Sequence, residues 1–356
     1  MRRVMKPHHL SSRPAAMWMI ASILGVAALH WIQVIAVPIA FSLFLIALVW
    51  PIHDRLTALT RQWVALTVSV LLLILVMVGF FLATGYGINA ITKGLSPYAP
   101  RMHEVYAAVA HWLEGQGMPL SPALANQIGP GWVFGLLQGA ATRINAVAGF
   151  LTLILIFLIL GLLEVADVRS RLPHAFGDAT AARLAEACGE TAWKFRRYIL
   201  VRTFISVLTG LLTWLFALLV GLDLAGVWGG LAFVLNYIPF IGPIIAVIPP
   251  VIFAFVQFEP WLLPLLVLAG MTLIQFSLGN LLEPRLEGRA LAISPFVVVV
   301  SVFFWGLVWG IPGAFIGVPL TIAFVTVCHQ FHETRWIARL LTPRMERQEV
   351  AERDSE

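Results

Sequence analysis

The sequence predicts an all-α polytopic membrane protein with about eight membrane helices or hairpins. Of its 356 residues, 60% are hydrophobic and only 12% are charged, and the mean hydropathy is +0.90. A soluble domain of this length does not have such a composition. Apolar stretches that approach the ~20 residues needed for a membrane span recur along the chain. The two cysteines, Cys188 and Cys328, fall in a polar and an apolar segment, so we expect no disulfide.

Residues 1–163 are predicted to form a scaffold of four spans. The expected spans are residues 17–29 with their flanks, 32–49, 64–90 and 146–163. The first is interpreted as an uncleaved span because no small-residue cleavage site follows it. A polar turn is expected at residues 51–62. The outer segment 91–145 contains several prolines and apolar residues at helical spacing, which predicts short amphipathic helices.

The second half is divided into three parts. Residues 164–202 are the most polar segment, and their one-sided apolar pattern predicts an amphipathic helix in the cytoplasmic membrane interface. Residues 203–328 are the predicted transport core. Within this core, apolar arms of ~12–16 residues pair into two hairpins, 224–257 and 290–328, on either side of the span 261–282. Residues 329–356 form a charged cytoplasmic tail.

Both hairpins are predicted to be broken at their centres. Residues 236–243 carry Asn236, Pro239, Gly242 and Pro243, and residues 309–313 carry Gly310, Pro312 and Gly313. Proline lacks the N–H of a helical hydrogen bond and clashes with the carbonyl four residues before it. In lipid, broken backbone is tolerated only where protein covers it or water reaches it. The breaks therefore indicate a site or a gate, although ordinary kinked or tilted spans remain the alternative.

The basic residues predict the orientation. Twenty of the 23 lysines and arginines fall in segments assigned to the inside when the amino terminus is cytoplasmic. This positive-inside bias places both termini in the cytoplasm. It also accounts for the net charge of +5 as orientation signal and lipid contact, so no nucleic-acid partner is expected. With these sides the two hairpins open in opposite directions, which is the inverted-repeat arrangement of many secondary transporters.

Three motifs in the C-terminal half resemble those of the autoinducer-2 exporter family, also called the PerM-like permeases. The motifs are Asn236-Tyr-Ile-Pro-Phe-Ile-Gly-Pro243, Asn280-Leu-Leu-Glu-Pro-Arg-Leu-Glu-Gly288 with Ser294-Pro295, and Gly306, Trp309-Gly310, Gly313, Gly317 and Val318-Pro319-Leu320. The resemblance implies a multi-span inner-membrane permease without ATPase machinery and a homo-oligomer, with a pentamer as the expected state. It implies export of a small furanosyl signalling molecule or, in other branches, sodium/proton antiport.

The charges of residues 203–328 indicate a neutral polar solute. The only ionisable side chains of the Asp, Glu, Lys and Arg types there are two at outer turns and four in one inner loop, so no carboxylate is expected at mid-span. This favours export of a small polar solute over antiport, with an oligomeric channel or a regulatory scaffold as further alternatives. The expected substrate-pathway residues are Asn236, Pro239, Gly242, Pro243, Gln275, Asn280, Ser294, Gly310, Gly313 and Pro319. The inner loop, Glu283, Arg285, Glu287 and Arg289, is either a solvated turn or an inner gate.

No enzymatic activity is predicted. The sequence lacks a phosphate-binding GxxxxGK[ST] loop, an HExxH zinc motif, a GxSxG nucleophile elbow and a cysteine cluster. No cofactor or metal is expected, and coupling to a proton or sodium gradient stays open. The expected mechanism is alternating access, with the tips of the two hairpins meeting near the membrane midplane and Asn236 facing a small polar cavity.

Overall fold

A computed structural model describes residues 12–116, 139, 144–259, 261–287 and 293–342, and its regular elements there are helical. Six helical segments in the described residues are long and apolar enough to cross a membrane, one of them running from Leu262 to Leu286 through several of the helices below. This supports the prediction of a polytopic helical membrane protein. The helices are α1 Ser12–Trp31, α2 Gln33–Leu59, α3 Gln62–Leu95, α4 Ala99–Gly115, α5 Ile144–Phe176, α6 Asp178–Val220, α7 Ala225–Leu235, α8 Ile241–Gln257, α9 Leu262–Phe276, α10 Glu283–Glu287, α11 Pro295–Gln330 and α12 Arg335–Leu341.

The first helices form a packed group in which α2 is central. α2 packs on α3 and α5 through a cluster that includes Ile46, Leu73 and Leu158. The expected polar turn at residues 51–62 is wrong for most of its length, since α2 continues through Pro51 to Leu59. His53 lies in this last part of α2 and is buried. Its Nδ1 lies 3.2 Å from the hydroxyl of Ser69 in α3. The chain between α4 and α5, apart from residue 139, lies outside the described residues.

The polar segment 164–202 is not a separate surface helix. α5 runs 13 residues past its predicted end, and α6 then continues for 43 residues as one helix into the predicted fifth span. No proline or glycine lies between Gly189 and Gly210, so nothing in the backbone separates the polar part from the apolar part. At 1.5 Å per residue α6 is about 64 Å long, roughly twice the ~30 Å of a hydrocarbon core.

The first hairpin is formed by α7 and α8 and lies along α6. Its base is beside the end of α6, where the Gln257 side-chain amide donates to the carbonyl of Gly221 at 2.7 Å. α7 packs closely on α6 because Gly210 and Gly229 face each other at the crossing. The chain is non-helical over residues 236–240, as predicted, whereas Pro243 belongs to the first turn of α8, where its missing N–H is not needed.

The second hairpin is formed within α11. Its two arms meet at Gly310, whose φ of 66° and ψ of −148° are not helical. The break falls inside the predicted segment 309–313, and Pro312 again lies in the first turn of the returning arm. The base of this hairpin is tied to α12, since Ser294 donates its backbone N–H to the carbonyl of Leu341 at 3.3 Å.

The segment before the second hairpin differs from the predicted inner loop. α9 is continued by a π-helical stretch, Ser277–Leu282, and then by α10. Glu283, Arg285 and Glu287 therefore belong to a short helix, whereas Gly288 and Arg289 lie outside the described residues. α10 packs against α6, which brings it next to the polar part of that helix.

Candidate functional site

The main polar feature of the transport core is a stripe along the buried face of α6. Its members recur three or four residues apart, so they lie above one another on one side of the helix. They are Lys194, Tyr198, Arg202, Ser206, Thr209 and Thr213, and each is at most 9% exposed. We call this set the α6 stripe. Polar groups without water are stable only when they are hydrogen-bonded or paired, so their partners define the candidate site.

The tip of the first hairpin lies against the middle of the α6 stripe. Asn236 is 3% exposed and donates from Nδ2 to the hydroxyl of Ser206 at 3.1 Å. The next residue, Tyr237, donates its hydroxyl proton to Thr203 Oγ1 at 3.0 Å. Asn236 does not face the expected polar cavity in this conformation, because protein groups cover it.

The tip is held in a strained backbone conformation. Phe240 has a φ of 61° and a ψ of −52°, and Ile241 donates its N–H to the carbonyl of Pro239 at 2.7 Å, two residues back. This three-residue turn is rare for a residue that carries a side chain. Gly242 then passes so close to the first arm that a Cβ atom on it would lie 1.8 Å from the carbonyl oxygen of Leu235.

The second hairpin has the same kind of closure. A Cβ atom on Gly313 would lie 2.0 Å from the carbonyl oxygen of Trp305, so the returning arm approaches the first arm as closely as in the first hairpin. The tip contacts the end of α1. Trp309 donates its indole N–H to the carbonyl of Leu29 at 3.0 Å, and His30 Nδ1 lies 2.7 Å from the carbonyl of Val308.

The two hairpins contact each other side by side through aromatic rings. Tyr237 stacks on Phe315 with centroids 5.7 Å apart, and Phe315 stacks on Phe41 of α2 at 6.0 Å. Phe315 lies five residues after the break at Gly310. The polar bonds of the first tip go to α6 and those of the second tip go to α1. The expected meeting of the two tips around a shared polar site is therefore not what this conformation has.

The inner charged segment pairs with the α6 stripe. Arg202 Nη1 and Glu283 Oε1 are 2.5 Å apart, and their side chains are 3% and 17% exposed. A second arginine of α6, Arg197, donates to the backbone carbonyl of Leu286 at 2.9 Å. Arg285 points to solvent. The sequence analysis located this charged segment but named no partner for Glu283, which is Arg202.

Among the other predicted pathway residues, Asn280 and Ser294 have local roles. Asn280 is exposed and donates to the carbonyl of Phe276 in its own helix at 3.2 Å. Ser294 caps α11 by accepting from the N–H of Val297 at 3.3 Å. Gln275 is half-buried on α9, and Pro319 is buried in the second arm of α11. Asn280 and Ser294 are thus helix-terminal or surface groups in this conformation.

A second polar cluster ties α4 to the base of the first hairpin. The hydroxyl of Tyr98 donates to the carboxylate of Asp223, and this hydrogen bond, with burial, raises the pKa of Tyr98 to about 12. Asp223 also accepts the indole N–H of Trp228 at its backbone carbonyl, at 2.8 Å. The tyrosine stays protonated at ordinary pH and fixes α4 to the hairpin.

Sequence reasoning missed the α6 stripe because residues 164–202 were treated apart from the fifth span. The signal was present: Lys194, Tyr198, Arg202 and Ser206 are each four residues apart. Among the described residues no group of three or more His, Cys, Asp or Glu side chains is arranged to hold a metal ion. The site combines the Asn236 amide and several hydroxyls with the ion pairs Lys194–Glu190 and Arg202–Glu283.

A multi-pass helical membrane protein with two broken hairpins against a polar stripe is a transporter architecture. The model of the AI-2E family transporter matches residues 19–333, so the chain belongs to that family. The AI-2 transport protein TqsA of Escherichia coli (strain K12) is 35% identical over 315 residues, which cover 86% of this chain and 89% of TqsA. A protein of Borreliella burgdorferi with the provisional name of transport protein is 35% identical over 54% of this chain and 53% of its own.

Proposed function

We propose that this protein is a secondary transporter that exports a small, uncharged polar solute of the autoinducer-2 type from the cytoplasm. The observation that carries the proposal is the first hairpin tip, where Asn236 and Tyr237 bond to hydroxyls of α6 along its buried polar stripe. A solute rich in hydroxyl groups can replace these hydrogen bonds one for one. The name of the E. coli relative, an AI-2 transport protein, supports this choice of solute.

Alternating access is supported by the opposite directions of the two hairpins. The first has its base at the end of α6 and its tip at Ser206, whereas the second has its base near Lys194, which donates to Thr326 at 3.3 Å. Its tip reaches the end of α1 at Leu29. We propose that these are inverted repeats, and that they move against the scaffold of α1, α2, α3 and α5 to uncover Asn236 from each side in turn.

The variant Asn236→Leu tests the proposed site. It keeps the size of the side chain but removes the amide that bonds Ser206, so solute flux per inserted protein should fall at least about tenfold, the loss expected for a hydrogen bond worth ~1.4 kcal/mol. The measurement is uptake into proteoliposomes, with and without proton and sodium gradients. The control is Leu72→Met on exposed Leu72 of α3, which should transport normally. Normal flux of Asn236→Leu for every solute carried by the parent protein would place the site elsewhere.

We propose that the protein lies in the bacterial inner membrane with both termini in the cytoplasm. A cysteine introduced as Gly115→Cys at the end of α4 should react with an impermeant thiol reagent added outside. Because native Cys188 is itself exposed, both variants are made in a Cys188→Ser, Cys328→Ser background. There Ala182→Cys, on the polar part of α6, should react only after the membrane is opened. Both positions are exposed, so burial does not limit the reaction. The opposite pattern would reverse the orientation and the direction assigned to transport.

We also propose a homo-oligomer, with five subunits as the expected number. Large apolar side chains are exposed on the amphipathic helix α4 and near the α5–α6 junction, and they support a subunit interface there. Trp112 on α4 is 63% exposed, and Phe176 and Trp193 are 60% and 52% exposed. Light scattering in mild detergent should give a mass several times that of one chain. A monomer that retains transport would refute the assembly.

A further inference from the structure

We propose that Arg202 and Glu283 form an inner latch that closes the path from the cytoplasm to Asn236. The inference rests on the proposed function and deepens it by naming the gate and its two partners. The pair lies close to the hairpin tip, because Arg202 is one helical turn before Ser206, the residue that bonds Asn236. The sequence-based gate comprised only residues 283–289, so Arg202 is a new member.

A cavity lies at the N-terminal end of the α6 stripe. It has a volume of about 400 Å³ and is lined by Glu186, Glu190, His329, Gln330 and Arg335. Glu190 also pairs with Lys194, the first residue of the stripe, at 2.8 Å. From Glu190 to Ser206 the distance along the helix is about 24 Å. Arg202 falls between these residues along α6, so the ion pair lies at a level between the cavity and the hairpin tip.

The latch joins the two hairpin units. Arg202 precedes Thr203, which accepts the hydrogen bond of Tyr237 from the first hairpin. Glu283 begins α10, the helix that leads to the second hairpin. Both charges are largely removed from water, so their pairing is specific to this packing of α10 against α6. Separating α10 from α6 would uncover Arg202, whereas Lys194 bonds Thr326 of α11 and Tyr198 packs among side chains of α2 and α11.

The chemistry of a buried ion pair makes this contact a two-state element. Paired, the two charges stabilise each other, but neutralising either one leaves the other buried without its opposite charge. The remaining charge then favours the conformation in which water reaches it. Neutral variants at either position should therefore populate the open form, whereas reversing both charges should restore the closed form.

The test measures the reactivity of a cysteine placed behind the latch. In a Cys188→Ser, Cys328→Ser background, Ser206→Cys is exposed to a charged, impermeant methanethiosulfonate reagent in inside-out membrane vesicles. Arg202→Gln and Glu283→Gln should each raise the labelling rate at least about tenfold, equivalent to ~1.4 kcal/mol in the open–closed equilibrium. The double variant Arg202→Glu with Glu283→Arg should return the rate to within about twofold of the parent.

The matched control is Arg171→Gln, which removes an arginine from an exposed pair with Asp167 at 3.7 Å and should leave labelling unchanged. Where a glutamine variant fails to insert, Arg202→Lys keeps the charge but loses the planar fork and should raise labelling about threefold. Parental labelling rates in inserted variants, or a double reversal that labels as fast as the single variants, would overturn the latch. The assay measures no transport, so the latch and the solute site at Asn236 can fail separately.

Discussion

Gly242→Ala is expected to abolish transport while the protein still inserts into the membrane. The added Cβ atom would lie 1.8 Å from the carbonyl oxygen of Leu235, a distance that no relaxation of side chains can relieve because the opposing atom is backbone. The tip must then open by moving α7 or α8. Overpacking of this kind costs about 1–3 kcal/mol, and here it acts directly on the geometry that presents Asn236 to Ser206. Flux in proteoliposomes and the amount of inserted protein are measured together.

The matched control for this change is Gly230→Ala in α7. A Cβ atom on Gly230 meets no atom within 4 Å, so alanine there should insert and transport like the parent protein. Alanine is also the better helix former, by about 1 kcal/mol in a helix interior. Equal flux in both variants would show that the close approach of Gly242 to Leu235 is not needed for transport.

Gly313→Ala is expected to have an effect of similar size in the second hairpin. Its Cβ atom would lie 2.0 Å from the carbonyl oxygen of Trp305 and 2.8 Å from Cβ of Trp309. Relief requires the arms of α11 to separate, which pulls the indole of Trp309 from its acceptor at Leu29. We expect loss of transport and a lower melting temperature of the purified protein in detergent.

Gly306→Ala in the first arm of α11 is the control for the second hairpin. A Cβ atom on Gly306 comes no closer than 3.5 Å to Ala314, which is ordinary van der Waals contact. This variant should melt and transport like the parent. A melting temperature of Gly313→Ala equal to that of Gly306→Ala would contradict the tight closure of the second hairpin.

The helical class and both breaks could be predicted because their causes are local. Composition alone indicates a membrane protein, and a proline or glycine acts on the backbone at its own position. Gly310 stands at the second break for such a reason, since its φ of 66° and ψ of −148° suit only glycine. The arms of the first hairpin end within a few residues of the predicted bounds for the same reason.

The pairing within the site could not be predicted because it depends on packing between distant segments. The partner of Glu283 is set by the contact of α10 with α6, and nothing local to residues 283–289 points to Arg202. The continuity of α6 was missed for another reason: its charge density suggested a surface helix, but Lys194, Tyr198 and Arg202 face inward. The bond between Asn236 and Ser206 likewise follows from the fold and not from either motif.

The π-helical stretch Ser277–Leu282 holds one more residue in its turn than an α-helix would, and it lies directly before the latch. Its hydrogen bonds span five residues where those of an α-helix span four. Conversion of the wide turn to α geometry would release that residue into the chain and turn everything after it by about 100° around the helix axis. Glu283 is the first residue after the stretch, so its carboxylate would swing away from Arg202 while the helix stayed intact. The π-helical stretch thus allows the Glu283 carboxylate to rotate around the helix axis without breaking the helix.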